Sequence, residues 1–106
     1  RGVLEEAVER WPADVRFAKP LALVYATFGQ GQKAVRLLER HLEARPDEAE
    51  SLLLGVEWIY HLKRANTAAH SPREDAALAR RYADAYMKTR GNQQALVRQW
   101  LEFIER

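Results

Sequence analysis

The chain has 106 residues, with 17 basic and 15 acidic side chains, a formal net charge of +2, and 47% apolar and 30% charged content. Charges of both signs are interspersed, so no electrostatic footprint for nucleic acid arises, and the mixture is that of one ordinary globular domain. The absence of cysteine excludes disulfides and thiol chemistry and leaves the compartment open; no apolar run approaches the roughly 20 residues of a membrane span, and no secretory signal is visible.

Residues 2 to 11 read as a short helix with Val3, Leu4, Ala7, Val8 and Trp11 on one side and Glu5, Glu6 and Glu9 on the other, ended by Pro12. Asp14 is a candidate N-cap for the next helix. Pro20 falls beyond its first turn, where the missing amide and the ring oppose the Arg16 carbonyl, so the spacing predicts either a kink or a helix that begins near Lys19. Phe17, Leu21, Val24, Tyr25 and Phe28 recur at three- and four-residue steps and form its apolar stripe. Gly29-Gln30-Gly31 supplies a residue free to take positive φ, so the chain reverses there.

The third helix runs from about Gln32 to Ala44, with Ala34, Val35, Leu37, Leu38, His41 and Leu42 on one face, and stops before Pro46. The fourth, from about Asp47 to Arg64, is apolar on nearly all sides, through Leu52, Leu53, Leu54, Val56, Trp58, Ile59, Tyr60 and Leu62. Such a helix is covered by neighbours on most of its circumference and marks the centre of the core. Residues 65 to 72, ANTAAHSP, read as an exposed loop. Ser71 or Pro72 opens a fifth helix, with Glu74 and Asp75 in the dipole-favoured first turn and Ala76, Ala79, Tyr82, Ala83, Tyr86 and Met87 along it, as far as Gly91. The last helix, from about Asn92, carries Leu96, Val97, Trp100, Leu101, Phe103 and Ile104, more apolar surface than a free end shows, so it caps the preceding helices or meets a partner.

Catalytic and metal chemistry find little foothold. His41, His61 and His70 are scattered, and only Glu57 and His61 share the i, i+4 spacing of two ligands, where a structural metal site takes four. Ser51 and Ser71 lack a nucleophile-elbow context. Gly29-Gln30-Gly31-Gln32-Lys33 follows a helix rather than a strand and lacks phosphate-loop spacing. Lys63-Arg64, Arg80-Arg81, Lys88 and Arg90 are interrupted by Glu74, Asp75 and Asp84, the mixture of a solvated helix face. No catalytic residue, cofactor, metal, nucleic acid or membrane is expected.

Within residues 14 to 47, Ala18, Leu21, Ala22, Tyr25, Ala34, Leu38 and Pro46, with Gly29 in the turn, stand at the spacing of the tetratricopeptide repeat, a family this stretch resembles. Ala18, Ala22 and Leu38 replace the Trp, Gly and Phe of the family pattern. Further on, Leu54, Gly55 and Trp58 restore the Leu-Gly pair and keep an aromatic in the Tyr slot; Ala79 and Ala83 fit the next slot only with about twelve extra residues in the turn. Leu4 and Pro12 match the second arm of an earlier unit. Residues 1–12 would then be a truncated repeat, 14–47 a full one, 48–91 a second with a long inter-helix loop, and 92–106 a cap, the whole cut from a longer protein.

The resemblance implies an all-α fold, a right-handed superhelix of about six antiparallel helices whose first arms line a concave groove for a peptide or partner helix. Carried over, the groove would show Arg16, Lys19, Leu23, Ala26 and Thr27 in the first full unit and Ala49, Leu52, Val56, Ile59 and Tyr60 in the next. Lys19, Leu23, Thr27, Leu52, Val56 and Tyr60 are the residues expected to touch a protein partner. Self-association through the last helix is the alternative.

Overall fold

Two residues in the left-handed region, Gly29 (φ 75°) and Asn66 (φ 61°), fix where two of the helices stop. The computed structural model describes residues 15–106, in the order α1 (Val15–Thr27), α2 (Gly31–Ala44), α3 (Ala49–Arg64), α4 (Pro72–Met87) and α5 (Gln94–Ile104), with no strand among the described residues. The fold is therefore all-α; the helix expected over residues 2 to 11 lies outside the described residues. At the end of α1 the Gln30 amide donates to the Tyr25 carbonyl at 2.8 Å and the Gly29 amide to Ala26 at 3.3 Å. At the end of α3 the amides of Thr67 and Asn66 donate to Leu62 and Lys63, both at 2.9 Å. These paired bonds occupy carbonyls that a helix end would otherwise strand, and they need one left-handed residue each. Glycine takes that conformation without penalty, and asparagine is among the few residues with a side chain that tolerate it.

α1 starts at Val15 and continues through Pro20, so the start near Lys19 is not adopted. A proline inside a helix costs about 3 kcal/mol, but Leu21, Ala22 and Tyr25 are buried on the side facing α2, and burial of several apolar side chains outweighs a penalty of that size. α4 opens on Ser71, whose hydroxyl accepts from the Glu74 amide at 3.1 Å, with Pro72 in the first helical turn, where its missing donor is harmless.

Packing centres on α3, which contacts α2, α4 and α5. The main core interleaves Leu38 and Leu42 of α2, Leu52, Val56 and Ile59 of α3, Tyr82 and Tyr86 of α4, and Val97 and Leu101 of α5. A smaller cluster joins α1 to α2 through Leu21, Ala22, Tyr25, Ala34 and Leu37, and Trp58 packs against both. Gly55 lets α4 approach: a Cβ there would lie 2.6 Å from Tyr82 Cδ2, inside any real contact.

One sequence expectation is corrected by this packing. The connector after α3 is not simply exposed, because Ala69 is buried. Its amide donates to Asp75 Oδ2 at 2.8 Å, the His70 amide donates to Oδ1 at 3.1 Å, and Arg36 Nε of α2 donates to the Ala69 carbonyl at 2.9 Å. Hydropathy cannot report such polar anchoring. The last helix turns its apolar side onto the preceding helices, the first of the two alternatives: Val97, Leu101 and Ile104 are buried, and Tyr60 meets the rings of Trp100 and Phe103 at 6.0 and 5.2 Å. α5 thus closes over α3 and α4.

Candidate interaction surface

The apolar stripe read along α1 splits in the fold. Leu21 and Tyr25 turn inward against α2, whereas Leu23 and Val24 are 40% and 38% exposed and Phe28, just past the helix, is 75% exposed. The Phe17 side chain lies outside the described residues. Leu23, Ala26 and Thr27 share a face of α1 by three- and four-residue spacing, and the Thr27 hydroxyl donates to the Leu23 carbonyl at 2.9 Å, so it asks nothing of its surroundings. Ala26 leads from this face into a cleft of about 310 Å³ between the end of α1 and the outer side of α3, where Trp58 and Leu62 form apolar wall and the Glu57–His61 pair, 3.7 Å apart, forms polar wall. An exposed apolar ridge beside a half-apolar cleft is the most partner-like surface among the described residues.

Of the six residues expected to meet a partner, Leu23 and Thr27 lie on this ridge. The others do not. Leu52 and Val56 are 1% and 0% exposed and belong to the main core, so neither stands on that ridge. The physical reason is that α3 is apolar nearly all round, and α2, α4 and α5 cover the side that the repeat pattern would leave open. Tyr60 belongs to the aromatic seam with α5. Lys19 is already paired, with Glu48 at 2.9 Å and Glu50 at 3.5 Å.

Glu48 is the residue that reading the sequence passes over. It stands at the N-cap of α3, and its Oε1 collects Lys19 Nζ of α1 at 2.9 Å, His41 Nε2 of α2 at 2.9 Å and the Ser51 hydroxyl of α3. The Ser51 hydrogen bond, joined by those of Lys19 and His41, holds its carboxyl down at about 2 against the opposing pull of burial. Serine, histidine and carboxylate meet here, yet not as a nucleophile with its base. Both Ser51 and His41 bind the carboxylate, and the Ser51 side chain is sealed at 0% exposure. The cluster ties three helices together. His41 is satisfied on one nitrogen only: Nδ1 is buried with no hydrogen-bond partner among the described residues.

Two of the basic residues are also spoken for. Lys63 Nζ donates to the Ile104 carbonyl at 2.7 Å, capping α5, and Arg80 forks onto Glu105 at 3.0 and 2.9 Å. Among the described residues no group of three or more His, Asp or Glu is placed to hold a metal ion, and no helix is long and apolar enough to cross a membrane. Compared with family models, curated proteins and solved structures, the chain matches none of them.

Proposed function

We propose that this chain is a non-catalytic protein-association segment built of tetratricopeptide-like hairpins in a right-handed superhelix, and that it receives an apolar peptide or helix from a partner protein. The carrying observation is the row of Leu23, Val24 and Phe28, exposed on α1 beside the cleft that Ala26 and Trp58 border. Burying such side chains yields roughly 1.5 to 3 kcal/mol each, enough for two or three of them to anchor a partner. The repeat reading is supported by Gly55, which stands in the small-residue slot and admits Tyr82 of the following arm. The binding surface in this reading is the outer face of α1, with Leu23 and Thr27 kept from the expected set and Val24 and Phe28 added.

The test is quantitative capture. A partner is identified on the wild-type chain, and its retention is then compared with Leu23→Asp/Phe28→Asp and with a Glu102→Ala control far from the ridge. Loss with the first and not the second is expected; equal retention by both would overturn the reading. Packing of Val97, Leu101 and Ile104 favours a second role for the C-terminal helix, as the terminal cap of a stack. A cap predicts sedimentation independent of concentration, whereas self-association grows with it.

A further inference from the structure

α2 and α4 both rest on α3, and between them a cavity of about 370 Å³ opens to solvent. Its volume lies at the small end of the range for small-molecule sites, about 300 to 1,000 Å³. Leu42, Leu52 and Leu78 give it an apolar floor. Three further polar residues line its walls. Tyr82 lines the cavity and is only 6% exposed, with one ring edge against Gly55, and its hydroxyl forms no hydrogen bond among the described residues. Glu43 of α2 and Arg81 of α4 line the same cavity, and among the described residues neither makes an ion pair or hydrogen bond. Glu39, the remaining carboxylate of the wall, is held by His70.

We infer that this cavity binds a small zwitterion, an α-amino acid with an aliphatic side chain, its carboxylate on Arg81 and Tyr82, its ammonium on Glu43 and its side chain on the leucine floor. Charge decides the class. A simple cation drawn by Glu43 would meet Arg81 at the same site, and a simple anion drawn by Arg81 would meet Glu39 and Glu43; only a ligand carrying both signs gives each wall its counter-charge. Arginine suits a carboxylate because its planar fork can donate two parallel bonds. Tyr82 keeps its proton, because burial first and the Glu39 and Glu43 carboxylates next push its pKa above the ordinary tyrosine value, so it is a donor to the same carboxylate.

The experiment is an amide-resolved NMR titration of the chain with L-leucine, leucinol, which lacks the carboxylate, and isocaproate, which lacks the ammonium. Leucine should give saturable shifts confined to α2, α4 and the floor, with both analogues weaker by at least about tenfold, or about 1.4 kcal/mol. Arg81→Gln and Glu43→Gln, both at exposed positions, and Tyr82→Phe, which keeps the ring on Gly55, should each weaken leucine while leaving the apo spectrum folded. Absence of saturable shifts at millimolar leucine, equal binding of leucinol or isocaproate, or indifference to Arg81→Gln and Glu43→Gln would each overturn the assignment.

Discussion

Tyr82 and Gly55 touch so closely that a methyl group on Gly55 would fall 2.6 Å from Cδ2 and 2.9 Å from Cε2 of the ring. Alanine within a helix is favoured over glycine by about 1 kcal/mol, whereas overpacking a core typically costs 1 to 3 kcal/mol and sometimes more. The contact is with the near edge of a buried ring, which cannot swing away as a flexible side-chain tip could, so the clash wins. Gly55→Ala should lower stability by about 1 to 2 kcal/mol in urea unfolding. An unchanged or raised midpoint would mean that α3 and α4 lie farther apart.

Leu38 reports on the junction of α2 with α3. It is fully buried, so Leu38→Ala should destabilise the fold by roughly 2 to 5 kcal/mol. A loss below about 0.5 kcal/mol, the size of an ordinary surface effect, would show that α2 presents another face.

Glu48 makes the fold acid-sensitive in a defined window. Its folded pKa is lowered from 4.5 to about 2, so its contribution is fully present above the unfolded value and is lost as pH falls through the folded one. Near neutrality Glu48→Gln should cost about 1.5 to 3 kcal/mol, the range for hydrogen bonds to a charged group. The difference between wild type and variant should shrink as pH drops from about 4.5 toward 2. A difference constant across that window would remove the charge from the explanation.

Asp75 should act locally before it acts globally. Its carboxylate accepts the amides of Ala69 and His70, and Asp75→Ala would leave the buried Ala69 amide without an acceptor, at about 1 to 3 kcal/mol. Hydrogen exchange at the Ala69 and His70 amides should accelerate in the variant beyond the change in core amides of α3. Parallel acceleration everywhere would assign Asp75 to the core instead of the connector.

Helix positions, the turn at Gly29 and the burial of Leu38 were legible because they follow from period and from a single residue's conformational freedom. The orientation of α3 was not: with Leu52, Leu53, Leu54, Val56 and Ile59 apolar in several directions, no polar side marks which flank faces solvent, and Leu52 and Val56 were assigned outward when neighbours cover them. The Glu48 cluster was hidden for another reason. Its partners Lys19, His41 and Ser51 stand 29, 7 and 3 residues away, and only tertiary folding brings them to one oxygen. Asn66 carries a legible signal for the left-handed end of α3, a small polar residue just after a helix.

Trp58 leans on both apolar clusters, the one between α1 and α2 and the one that α3 organises. Its indole is therefore a built-in optical gauge of whether the first hairpin stays docked. Emission from Trp58, isolated by replacing Trp11 and Trp100 with phenylalanine, should redden and become accessible to acrylamide if that hairpin peels away, even while far-ultraviolet ellipticity holds constant.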